Sequence, residues 1–174
     1  MDGEGGKTLY LLRHAKAEKA EPGLEDQSRA LIRRGRDAAE RLAGWFAKHQ
    51  PLPTTVLCSP AMRTRQTLEL ILPSLAEPVI DYNPRLYGAS TKTLLEAVAR
   101  LPRDVGAALI VGHNPGMEEL AIGLAGHAPA RMIARMREKF PTCALVMLTA
   151  KVRDWSKFAD ASRAEEFIRP IDLE

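Results

Sequence analysis

The sequence predicts an α/β fold, a layered sheet whose strands are mostly parallel. Three observations point there. Short apolar runs alternate with segments of helical periodicity, prolines punctuate the changes between them, and chemically distinctive residues directly follow the apolar runs. At 174 residues the chain suits one compact domain with a single sizeable core.

The elements follow in order. Thr8–Leu12 (TLYLL) is apolar enough for a buried strand. Residues 33–49 set Ala38, Ala39, Leu42, Ala43 and Phe46 at helical spacing, and Pro51 and Pro53 end that helix. Thr54–Cys58 (TTVLC) is a second strand. Ser59-Pro60 then suits an N-cap and first helical position, opening a helix to about Leu72. Pro78–Tyr82 reads as a short third strand, and Ser90 as the cap of a helix carrying Leu94, Leu95, Val98 and Leu101. Ala107–Val111 (AALIV) is the strongest strand signal. Asn114-Pro115 then reads as cap and first turn of an amphipathic helix to about Leu124, and a second helical stretch covers 130–139. Thr142–Thr149 (TCALVMLT) closes the core as a late strand.

Composition narrows the class. The share of hydrophobic residues, 45%, is that of an ordinary globular protein, and no apolar run reaches the roughly 18 residues of a membrane span. Met1–Gly6 is polar and glycine-rich, lacks signal-peptide character and reads as flexible, so a cytoplasmic protein without membrane association is expected. Cys58 and Cys143 are too few for a disulfide framework and read as buried thiols. The net charge of +3 is mildly basic, but aromatics make up only 5%. The Arg-rich stretches 29–36 and 131–139 read as solvated helix faces, so no nucleic acid is expected.

In open α/β sheets, functional groups gather beyond the carboxyl ends of the strands. That rule selects Arg13-His14 after the first strand, Arg63 in the first turn after the second, and His113 after AALIV. The set suits phosphoryl transfer. Arginine forks match phosphate oxygens and stay charged near neutral pH. A neutral imidazole can attack phosphorus to give a phosphohistidine that water hydrolyses. Arginines and a protonated second histidine can stabilise the spread negative charge, with helix N-termini near Pro60 and Pro115 adding N–H groups. No metal is needed, and no carboxylate cluster is evident to hold one. Each piece alone has a plainer reading as a surface pair, a helix start or a turn. His49 and His127 keep such plain readings.

LYLLRHAKA at Leu9–Ala17, CSPAMRTRQT at Cys58–Thr67 and VGHNPGMEEL at Val111–Leu120 resemble the histidine phosphatase superfamily, also called phosphoglycerate mutase-like. Within it they look like the small SixA-type phosphohistidine phosphatases. FPTCALVML at Phe140–Leu148 is similar to that branch's late strand, with Trp155 following. The resemblance implies a three-layer αβα sandwich and a metal- and cofactor-independent phosphatase. It implies His14 as the phosphorylated nucleophile, Arg13 and Arg63 clamping phosphate, and His113 completing the pocket. Arg29, in Asp26-Gln-Ser-Arg-Ala-Leu, matches an arginine that reaches substrate in this branch, although Ala30 and Ile32 replace the usual Pro and Thr. Larger mutases and acid phosphatases carry an acidic proton donor in an inserted segment; Arg85–Ser90 has none.

The implied partner is a phosphorylated protein, such as a histidine phosphotransfer domain, or a small phosphorylated metabolite. Two rivals stand beside the phosphohistidine phosphatase. One is a small-molecule phosphatase or mutase of the same superfamily, and the other a non-catalytic phosphoprotein-binding module. Retention of a nucleophile argues against the latter.

Overall fold

The computed structural model describes residues 5–174, so most of the segment expected to be flexible, residues 1–4, lies outside the described residues. Six strands form one sheet: β1 (Lys7–Arg13), β2 (Thr55–Cys58), β3 (Val79–Tyr82), β4 (Ala107–Gly112), β5 (Leu145–Ala150) and β6 (Arg163–Ile168). Their spatial order is β3-β2-β4-β1-β5-β6. The three pairings among the first four are parallel, whereas β5 runs antiparallel to both β1 and β6. Two reversals across β5 turn β6 back to the direction of β1.

Alternation along the central strands builds two cores. Leu9 and Leu11 of β1, with Ala108 and Ile110 of β4, face one way; Tyr10, Leu12, Leu109 and Val111 face the other. Strands buried on both faces are continuously apolar, which is why TLYLL and AALIV stand out. Helices α1 (Arg33–Phe46) and α2 (Met62–Ile71) cover the Tyr10 face with Ala38, Ala39, Leu42, Phe46, Leu68 and Ile71. Helices α3 (Thr91–Ala99), α4 (Gly116–Gly123), α5 (Ala130–Glu138) and α6 (Phe158–Ala161) lie against the Leu9 face. Leu94, Val98, Met117, Leu120 and Met136 supply their buried sides. The result is the expected three-layer αβα sandwich. Trp155 seals one side, buried with its indole N–H donating to the Val105 carbonyl at 2.8 Å.

Several boundaries differ from the expectation, for local reasons. Helix α2 begins at Met62 and not at Pro60, because Ser59 is engaged elsewhere: its N–H pairs with Val111, its carbonyl accepts from Thr64 and its hydroxyl meets His113. Helix α4 begins after Pro115, although Asn114 still caps it by accepting from the Glu118 N–H at 3.3 Å. The late strand starts only at Leu145. Cys143 adopts φ 63°, which breaks an extended run, and its N–H donates to the carbonyls of both Arg13 and His14. β6 went unread because Arg163, Glu165 and Glu166 mask its alternation at the sheet edge. Arg29 precedes α1 in a turn, so residues 29–36 are not a single helix face. Both cysteines are buried free thiols. Among the described residues no helix is long and apolar enough to cross a membrane.

Candidate active site

Parallel register delivers the expected residues to one edge. Arg13 of β1 pairs with Gly112 of β4, and Cys58 of β2 with Val111. The next residues along those three strands are His14, His113 and Ser59. The rings of His14 and His113 stand 5.3 Å apart between centroids, and both side chains are largely buried.

The hydrogen bonds fix which ring nitrogens are free. His14 Nδ1 lies 2.7 Å from the Ala15 carbonyl oxygen, which can only accept, so Nδ1 carries the proton. The lone pair therefore sits on Nε2. At His113, Arg63 Nη2 lies 3.3 Å from Nδ1 and can only donate, which leaves Nε2 as the N–H that donates to Ser59 Oγ at 2.7 Å.

Electrostatics keep both rings neutral. Burial above all, aided by His113, Arg63 and Arg13, pushes the His14 pKa down to about 3 against the pull of the Ala15 carbonyl. Burial, followed by Arg63, pushes His113 down to about 4, with Asp26 opposing. The protonated second histidine expected from sequence is thus a neutral one in the free site.

The arginines are poised for an anion. Arg13 spends one nitrogen, Nη1, on the Phe140 carbonyl at 2.8 Å. Arg63 is 5% exposed, and its Nε and that of Arg13 are both buried with no hydrogen-bond partner. Two guanidiniums beside two imidazoles gather positive charge at this strand edge, an arrangement that suits a phosphate. Arg63 itself is positioned through Thr67, whose hydroxyl donates to the Arg63 carbonyl and accepts from the Ala15 N–H. One threonine thus ties the α2 arginine to the loop that carries His14.

Two residues that sequence reasoning passed over complete the cluster. Asp26 accepts from Arg63 through both its backbone carbonyl, at 2.7 Å, and its carboxylate, at 2.9 Å. The Tyr87 hydroxyl donates to the same carboxylate, and the Tyr87 ring meets His113 edge-on at 5.4 Å. Together with Arg29, these donors hold the Asp26 carboxyl far below the usual carboxylate range. Tyr87 follows β3 at the same sheet edge, so the strand-end rule could have found it; Asp26 lies in a polar loop with no local signal. Arg29 reaches the cluster only through Asp26, which it grips with Nε and Nη2, while Nη1 donates to the Glu18 carbonyl. His49 stacks on Trp45 and bonds its carbonyl, away from this edge. Among the described residues no three His, Cys, Asp or Glu side chains group as a metal site.

A family model described as the histidine phosphatase superfamily (branch 1) matches residues 9–87. An uncharacterised Mycobacterium tuberculosis protein is 38% identical over 143 residues, 79% of this chain and 85% of the relative. The structure of a candidate phosphohistidine phosphatase SixA from Agrobacterium tumefaciens is 32% identical, with a TM-score of 0.80 over 94% of this chain and 98% of that one. A second, from Nakamurella multipartitia, is 28% identical with a TM-score of 0.84, covering 96% and 98%. A Plasmodium falciparum phosphoglycerate mutase, 14% identical with a TM-score of 0.62 over 93% and 90%, shares the fold.

Proposed function

The chain belongs to the histidine phosphatase superfamily, in its SixA-type branch, and from that membership we propose that it is a protein phosphohistidine phosphatase working through His14. That it is an enzyme hydrolysing phosphate esters or amidates follows from the family. The finer reading rests on one observation: among the described residues the pocket has no group ready to protonate a poor leaving group. Asp26 is held ionised by Tyr87 above all, then by Arg29 and Arg63. His113 is neutral, with its one N–H given to Ser59.

An alkyl phosphate must expel an alkoxide whose conjugate acid has a pKa of roughly 15, which calls for a positioned acid. Phosphohistidine expels imidazole, whose conjugate acid has a pKa near 6.5. In the proposed cycle His14 Nε2 bonds to phosphorus as the substrate's P–N bond breaks, and the leaving imidazole departs with a proton acquired beforehand. Water then attacks the phosphorylated His14, inorganic phosphate leaves, and a proton passes to solvent. Arg13 and Arg63 hold the three phosphoryl oxygens through the guanidinium N–H groups that their own hydrogen bonds leave free, and His113 orients Arg63. Arg29 sits behind Asp26 and touches substrate only on letting it go.

The partner is then a phosphorylated protein such as a histidine phosphotransfer domain. A cytoplasmic setting fits the two free thiols. Steady-state comparison of a phosphohistidine peptide, nitrophenyl phosphate and glycerol phosphate, without added metal, tests the reading. kcat/KM should fall in that order, with at least about two decades between first and last. Equal or better use of glycerol phosphate would reveal an acid in the pocket and favour a small-molecule phosphatase.

A further inference from the structure

Beside the His14 pocket, and sharing none of the residues that face it, lies a cavity of about 440 Å³. That volume falls within the roughly 300–1,000 Å³ of small-ligand sites. Its walls carry five basic side chains: Lys16, Arg34, Arg41, Lys139 and Arg169. Arg34, Ala38 and Arg41 are spaced i, i+4, i+7 along α1, so they share one helix face. The small Ala38 between two long arginines leaves the hollow open. Lys16 stands in the loop two residues beyond His14, and Lys139 ends α5 just before Phe140. Arg169 follows β6, which runs parallel to β1 and ends at the same sheet edge.

Charge is unbalanced here. Arg169 pairs with Asp172, but Lys16, Arg34, Arg41 and Lys139 make no ion pair among the described residues. Among the described residues Glu174 is the single acidic one in the lining. Solvated lysines and arginines on an open surface would need no further explanation. Four cations without an ion pair, gathered around one hollow, do: they repel one another unless an anion sits between them. Two guanidiniums on one helix face of a concave, cationic wall are an arrangement that an oxyanion completes.

We infer that this cavity is a second anion-binding site, for a small phosphate-bearing anion held by Arg34 and Arg41 against Lys16 and Lys139. The site touches the catalytic strand end through its own wall. Pro141 and Thr142 line it, and their neighbours Phe140 and Cys143 bond Arg13 and the Arg13 and His14 carbonyls. Two residues on each path, Pro141 and Phe140 or Thr142 and Cys143, therefore separate the ligand from Arg13 and His14.

Isothermal titration of the full chain with inorganic pyrophosphate tests this. The wild type should show two binding events. Arg34→Gln/Arg41→Gln should weaken one by on the order of tenfold or more, leaving nitrophenyl phosphate turnover and melting temperature little changed. Lys16→Gln/Lys139→Gln, on the opposite wall, should weaken the same event. Arg13→Gln/Arg63→Gln should spare it. Arg131→Gln/Arg137→Gln, an equal charge change outside the cavity, should also spare it. The inference is overturned if the event survives both cavity variants, disappears with Arg13 and Arg63, or weakens as much in the Arg131/Arg137 variant. The first of these would place the anion elsewhere, the second in the catalytic pocket, and the third in diffuse charge alone.

Discussion

Asp26 and Arg63 are joined twice, once through the Asp26 backbone carbonyl and once through its carboxylate, at 2.7 and 2.9 Å. The two contacts have different consequences. The carbonyl aims the guanidinium; the carboxylate adds a negative charge where the substrate brings its own. Asp26→Asn keeps the first contact and removes the charge. Because the Asp26 side chain is nearly half exposed, solvent screens much of that charge. Competitive inhibition by inorganic phosphate is therefore expected to tighten by only about threefold, matching a surface pair worth under about 1 kcal/mol. Unchanged or weaker inhibition would mean that the carboxylate acts chiefly by holding Arg63 in place.

Arg63→Lys separates charge from geometry. Lysine keeps the positive charge but loses the planar fork, and with it the donors that meet Asp26 and His113 together and that, in the proposed function, hold the phosphoryl group. Turnover is expected to drop by about a hundredfold, comparable to losing one transition-state donor. The melting temperature should barely move, since Thr67 anchors the helix through the Arg63 backbone and not its side chain. Retained activity with a lowered melting temperature would make Arg63 a structural residue.

The free lone pair on His14 Nε2 leads to a covalent test. Brief reaction with labelled substrate, quenched without acid, should leave phosphate on His14. His14→Ala should remove both the label and turnover.

How far these features could be read in advance depended on where each lay. Strands with both faces buried are apolar without interruption, so β1 and β4 are plain in the sequence, and the residues after them are assigned to one edge by the strand-end rule. The same reasoning reached Arg13, His14, Arg63 and His113. It missed β6, because an edge strand with Arg163, Glu165 and Glu166 needs little hydrophobicity. It missed Asp26, because a loop residue is brought to the site by tertiary folding and not by periodicity. Gly35 shows how tight that folding is: a Cβ there would stand 2.1 Å from the Lys16 carbonyl oxygen, so α1 packs directly on the loop beyond His14. Nothing in the spacing of residues 33–49 announces that approach. Nor does composition show that both histidines are neutral, since burial sets their ionisation.

That ionisation should be visible in the protein's stability. Folding holds His14 near pKa 3 and His113 near 4, whereas both return to about 6.5 when the chain unfolds. Between pH 6.5 and about 4 the unfolded chain therefore binds protons that the folded one refuses. Stability rises with pH wherever the unfolded state binds more protons, so the contribution of each histidine is fully present above pH 6.5 and is lost as pH falls below it. Well inside that window the slope approaches about 1.4 kcal/mol per pH unit for each ring. The depressed carboxyl of Asp26 works in the same direction but further into acid, below the range where the histidines act. Urea denaturation from pH 7 to 5 should show stability falling steadily, and His14→Gln/His113→Gln should flatten that fall while leaving other titrations in place. Ring signals followed by NMR over the same range should show neither histidine titrating in the folded protein. Bound phosphate should bring at least one of them back toward neutral pH, because an anion favours the imidazolium. Equal pH slopes for wild type and double variant would mean that the buried rings are not held neutral, and that His14, in its proposed role as nucleophile, is not ready without a base to remove its proton.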